Sequence, residues 1–141
     1  MNTPYQILGG EGITQLCDAF YQTMEEAHQA AGIRRMHADD LAPVKAKLME
    51  YLTDWMGGPP IYQQKYGTVC LTEQHAEYAI GPKETAQWLF CMDQALEKIG
   101  ASDELKEMLK VPLERVANAV QNRDVSVGDS MDRDPNLIAI N

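Results

Sequence analysis

The sequence predicts an all-α fold, and three observations carry that prediction. Apolar residues recur at helical spacing in several long stretches, glycines and prolines stand where helices should start or stop, and no stretch alternates long enough for a strand of consequence. No internal repeat interrupts this pattern.

The first helix is predicted over about Gly12 to Ala31, where Ile13, Leu16, Cys17, Phe20, Tyr21 and Met24 share a face, and Gly32 interrupts it. A short connection from Ile33 to Asp40 leads to a second helix carrying Leu41, Val44, Leu48, Leu52 and Trp55. Gly57-Gly58-Pro59-Pro60 stops it with a left-handed cap and residues that cannot continue a helix. Ile61 to Ile80 reads as a long aperiodic loop, too rich in Tyr, Val, Ile and Leu for disorder. It holds one histidine, His75, a layout that suits an axial metal ligand presented from a loop. Gly81-Pro82 opens the next helix, through Trp88, Met92, Leu96 and Ile99. Gly100 closes it and Ser102 caps the last, whose apolar set is Leu105, Met108, Leu109, Leu113, Val116, Ala117 and Val120. Pro112 should kink or divide that helix, because its ring clashes with the carbonyl four residues earlier.

Composition narrows the function. A chain of 141 residues is expected to be one domain that buries roughly two-thirds of its unfolded surface, enough for a core and one enclosed ligand. Its core should run from about 9 to 122, with 123–141 as a polar tail ending in Leu137-Ile138-Ala139-Ile140. A net charge of −9 speaks against nucleic acid or an anionic membrane as the main partner, since both need clustered Lys and Arg. Cys17, Cys70 and Cys91 are too few and too scattered for a disulfide framework or zinc site, and read as buried reduced thiols. Met1 to Gly10 lacks the basic and apolar regions of a signal peptide, and no run has the length of a membrane span, so a cytoplasmic protein is expected.

The run Lys47-Leu48-x-x-Tyr51-Leu52-x-x-Trp55-x-Gly57-Gly58-Pro59-x-x-Tyr62, followed by Gly67, His75-Ala76, Ile80 and Trp88-Leu89-x-Cys91-Met92, resembles the group II truncated hemoglobins. Phe20-Tyr21 upstream adds to it. The likeness runs without an apparent gap from Leu41 to Met92 and more loosely from Gly9 to about Asn122. It implies a two-over-two helical sandwich enclosing heme b, with His75 as proximal iron ligand. Glu73, Gln74 or nearby backbone would hold the other ring nitrogen.

The resemblance also assigns the distal side. Tyr21 is either a core tyrosine or a donor aimed at a ligand on the iron, and Trp88 has the same two readings. His37, or Met36 by a one-residue shift, would overhang the heme; His37 is favoured because methionine cannot donate, and it would make the site pH-sensitive near neutrality. His28, beside Glu25-Glu26 at a helix end, reads as a solvated surface residue. Val44 stands where many other globins place a distal histidine, so it and Leu48 form an apolar wall. Lys47 and Tyr62 match positions that partner the heme carboxylates, although Lys47 is equally readable as a solvated helix residue. Ile80 and Met92 would complete the cofactor contacts. Thr68 and Gln74 depart from the family, which commonly places a basic residue or histidine there.

Two classes of function follow from this resemblance. One is a binding protein for O2, CO or NO that stores, transports or senses oxygen. The other is an enzyme, an NO dioxygenase or heme peroxidase served by a reductase, in which Tyr21, Trp88 and His37 stabilise bound oxygen species. Multiple donors slow O2 release and favour a redox or nitrosative-stress role. The oligomeric expectation is a monomer or weak dimer. A helical interaction module without heme is the remaining alternative.

Overall fold

The computed structural model describes residues 2–67 and 79–122. Among these residues the secondary structure is entirely helical. Helix α1 spans Pro4–Glu26, a turn of 3-10 helix follows at His28–Ala30, and α2 covers Ala31–Arg35. Helix α3 is Ala42–Trp55, α4 is Ile61–Tyr66, α5 is Pro82–Lys98 and α6 is Asp103–Val120.

Helix α1 starts earlier than its apolar stripe predicts. Thr3 accepts the Gln6 N–H and the Gln6 side chain accepts the Thr3 N–H, a reciprocal cap that satisfies two orphan donors. Gly9, at φ +75°, then bends the helix, a conformation that residues with a Cβ rarely adopt. Helix α1 ends at Glu26 rather than Ala31, and Gly32 lies inside α2 rather than breaking a helix. The expected connection from Ile33 is therefore helical as far as Arg35.

The segment read as an aperiodic loop begins with α4. Six residues are too few to display a helical period, yet the Asp54 carboxylate accepts both the Gln63 backbone N–H at 3.0 Å and its side-chain amide at 3.1 Å. An upstream side chain thus holds the first turn. Pro112 does not divide the last helix, since α6 is one element. Leu109 and Leu113, on either side of the proline, are both buried, so packing retains the helix across it. Ser102 caps α6 by accepting the Leu105 N–H at 3.2 Å.

Helix α1 packs on α3 and on α5, and α5 packs on α6, which makes two helix pairs laid one over the other. Ile13, Leu16, Phe20 and Met24 of α1 and Met92, Ala95 and Leu96 of α5 are almost wholly buried where the layers meet. Two links hold the open end. Ile80 and Asn122 exchange hydrogen bonds of 3.0 and 2.9 Å, and Thr85 donates to Gln121 at 2.9 Å. The end of α6 is thereby fixed to the start of α5.

Candidate functional site

A cavity of about 470 Å³ opens between α1, the turn after α2, α3, α4, α5 and the last turns of α6. Its size falls in the range of small-molecule and cofactor sites. Tyr21, His37, Val44, Lys47, Leu48, Tyr62, Ile80 and Trp88, all singled out from sequence, line it together. Met92 does not. It is fully buried in the layer core, one turn beyond Trp88, because the cavity ends where α1 crosses α5. His28 is exposed. His75, Thr68, Glu73, Gln74, Cys70 and the tail from Arg123 lie outside the described residues.

One wall is a chain of rings. Phe20 stands edge-on to Tyr21, with centroids 4.9 Å apart, and to Trp88, at 5.6 Å. Tyr21 in turn meets His37 at 6.0 Å. Such contacts lock the rings as a unit. Among the described residues, neither the Tyr21 hydroxyl nor the Trp88 indole N–H has a protein hydrogen-bond partner, and no sealed-off side-chain polar atom is left unpaired. Both residues line the cavity, and neither donor is committed to a protein acceptor among the described residues. Burial, and then the neighbouring Cys17, push the Tyr21 hydroxyl far above its ordinary range, so it keeps its proton and remains a donor.

His37 is held from behind. Its Nδ1 lies 2.7 Å from the Ile33 carbonyl oxygen, a contact in which Nδ1 donates and Nε2 is the ring's remaining polar atom. The Ile33 N–H in turn donates to Gln87 Oε1 at 2.9 Å, which ties α2 to α5. Met36 also lines the cavity, so the two alternatives for the overhanging position are neighbours on the same wall.

Aliphatic lining comes from two separate elements, Val44 and Leu48 of α3 and Val116, Ala117 and Val120 of α6. The α6 residues were read only as core. They belong to the site because the last turns of α6 run past the layer interface, which a periodic stripe does not reveal. Tyr51, one turn after Lys47, also lines the cavity and meets Tyr62 edge-on at 5.3 Å. Burial, with smaller contributions from Tyr62 and Asp54, pushes its phenol up to about 12. Lys47 reaches the cavity border with its Nζ over the Tyr66 ring, 4.9 Å from the centroid.

Two stacked helix pairs around a largely apolar cavity define a helical protein with room for a largely apolar small molecule or cofactor. Residues 3–122 match the bacterial-like globin family. Group 2 truncated hemoglobin YjbI of Bacillus subtilis (strain 168) is 31% identical over 122 residues, 86% of this chain and 90% of that one. Among solved structures, the group II 2-on-2 hemoglobin of Agrobacterium tumefaciens is 35% identical with a TM-score of 0.82, over 88% of this chain and 97% of that one. The truncated oxygen-avid haemoglobin of Bacillus subtilis is 30% identical with a TM-score of 0.78, over 86% of this chain and all (100%) of that one. The chain belongs to the bacterial-like globin family, among its group II truncated, two-over-two hemoglobins.

That membership implies a heme cofactor, and the family binds diatomic gases. The residues fit such a group: aliphatic walls suit a porphyrin face, Lys47 at the border suits a carboxylate, and two unengaged donors suit a small polar ligand.

Proposed function

We propose that this protein is a single-domain heme b globin, with a core from about 9 to 122, that retains O2 tightly, also takes CO and NO, and serves redox or nitrosative-stress chemistry rather than oxygen transport. The observation that carries the reading is the pair of donors on the cavity wall, the Tyr21 O–H and the Trp88 N–H, with no protein acceptor among the described residues.

Heme supplies an iron that binds diatomic gases and exchanges electrons; ligation, access and hydrogen bonding are the protein's share. His75 is the iron ligand in this reading. Lys47 and Tyr62 hold the carboxylate edge, and Val44 and Leu48, which cannot hydrogen-bond, restrict water at the ligand side. Tyr21 and Trp88 donate to a polar diatomic molecule in the cavity, and His37, fixed through Ile33, limits its exit. A ligand held by several donors leaves slowly, which suits conversion better than delivery. The oxygen-avid character named for the Bacillus subtilis relative agrees with this. Oxidation of NO to nitrate and reduction of peroxide are the reactions within reach, with a reductase returning electrons. The protein works in the cytoplasm as a monomer or weak dimer. Among the described residues no helix is long and apolar enough to cross a membrane.

Absorption spectra of the ferric, ferrous and CO-bound forms test the reading. Wild type should show a Soret band that shifts with CO, and His75→Ala should lose heme or recover it only with added imidazole. Unchanged ferrous and CO spectra in His75→Ala would remove His75 from the iron.

A further inference from the structure

Tyr62, on the cavity wall and 1% exposed, packs against Tyr66 one helical turn later, with ring centroids 4.7 Å apart and planes tilted by 45°. Tyr66 is 40% exposed. Two adjacent phenols thus connect the buried wall to solvent. The Tyr66 hydroxyl donates to Glu50 Oε1 at 2.9 Å, while Lys65 Nζ lies 2.8 Å from Oε2. The Lys65 ammonium, together with the Tyr66 hydrogen bond, holds the Glu50 carboxyl below its ordinary range. Glu50 is therefore an anion already accepting the phenolic hydrogen.

A phenol that loses an electron becomes a strong acid, and the loss is easy only when a base takes the proton. The Tyr66 ring makes this requirement strict. Lys47 and Lys65 lie 4.9 and 5.7 Å from its centroid, and two cations drawn to an electron-rich face oppose removal of an electron alone. Glu50 is the base placed to relieve that opposition.

We propose that Tyr66 is a proton-coupled redox station that passes single electrons from a small donor in solvent, through Tyr62, to an oxidising centre in the cavity, with Glu50 taking the phenolic proton. This rests on the heme reading above. The oxidant is hydrogen peroxide and the donor, AH, is a phenol or ascorbate. In each step Tyr62, keeping its own proton, relays one electron from Tyr66 to the cavity, and the Tyr66 O–H proton moves to Glu50. The donor then restores the Tyr66 electron, Glu50 returns the proton, and the donor's own proton goes to the peroxide oxygens. Two such steps give H2O2 + 2 AH → 2 H2O + 2 A•. Without a donor, Tyr66 radicals of two copies join by a ring C–C bond and each ring releases one proton. Two tyrosines and one peroxide then yield one dityrosine and two waters.

The test treats the heme-loaded protein with stoichiometric peroxide and no donor, and reads dityrosine fluorescence and the cross-linked peptides by mass spectrometry. Cross-links should fall at Tyr66, vanish in Tyr66→Phe, diminish in Tyr62→Phe and persist in Trp55→Phe, whose ring lies on the other branch, stacked on Tyr51 at 6.5 Å. A second arm, independent of heme, oxidises the protein with photogenerated tris(bipyridine)ruthenium(III). Tyr66 oxidation should show a solvent deuterium isotope effect, and Glu50→Gln should slow it about tenfold, the usual worth of a charge-assisted hydrogen bond. Heme-loaded wild type that cross-links elsewhere, or a Glu50→Gln rate equal to wild type, overturns the proposal alone. A protein that never shows a Soret band overturns it together with the heme reading.

Discussion

Gln87 Oε1 accepts the Ile33 backbone N–H at 2.9 Å, and the carbonyl of that same Ile33 holds His37 Nδ1 at 2.7 Å. One amide on α5 therefore fixes the turn that carries His37. Gly32 makes room for it, since a Cβ there would meet Gln87 Oε1 at 2.8 Å. Gln87→Ala leaves the Ile33 N–H unpaired and should cost about 1–3 kcal/mol. Gly32→Ala should cost less than Gln87→Ala, because the Cβ would meet only the far end of the flexible Gln87 side chain, which can shift. Urea denaturation midpoints check both, and a Gln87→Ala midpoint equal to wild type would show that the clasp contributes nothing.

The buried thiols give an alkaline prediction. Burial first, and then Asp18, push Cys17 from 9.0 up to about 12; burial pushes Cys91 from 9.0 up to about 11. Thiolate is the reactive form, so neither should be alkylated by iodoacetamide at about pH 8 in the native protein, and both should react in urea. Both folded values are raised, so their contribution to stability is complete below about pH 9 and is lost as pH rises toward 11–12. Peptide mass spectrometry of the alkylated protein, and thermal midpoints across that range, read the two effects. Rapid native-state labelling of Cys17 would contradict its burial.

Met92 separates the core from the cavity. Its side chain is fully buried between the layers, so Met92→Ala should cost about 2–5 kcal/mol in urea denaturation. Because Met92 lies off the cavity wall, the heme spectrum of the folded variant should match wild type. A displaced Soret band at full folding would return Met92 to the cofactor contacts.

Much of the fold was legible because its helices are long, amphipathic and punctuated. Gly57, at φ +94°, and Gly100, at φ +71°, sit where a left-handed cap was read, and Ser102 caps α6. Helix α4 was not legible, since its six residues are held partly by Asp54, nine positions upstream. At the site, Tyr21, Val44, Leu48 and Trp88, singled out through the family resemblance, line one cavity. The resemblance implies a cofactor contact for Met92, whereas the structure buries it in the layer core, and the sequence does not reveal where α1 covers it. The Tyr66–Glu50 pair had no sequence signal at all. The two residues are sixteen positions apart on different helices, and only tertiary packing brings them together.

The central claim is that Tyr21 and Trp88 donate to a ligand in the cavity rather than merely fill the core. O2 dissociation measured by stopped flow, in wild type, Tyr21→Phe and Trp88→Phe, tests it most directly. Each replacement keeps an aromatic ring and removes a donor. A hydrogen bond to a charged or partly charged acceptor is worth about 1.5–3 kcal/mol, so each variant should release O2 about ten- to a hundredfold faster. Off-rates within about threefold of wild type in both variants would contradict the account and leave the two residues as core rings alone.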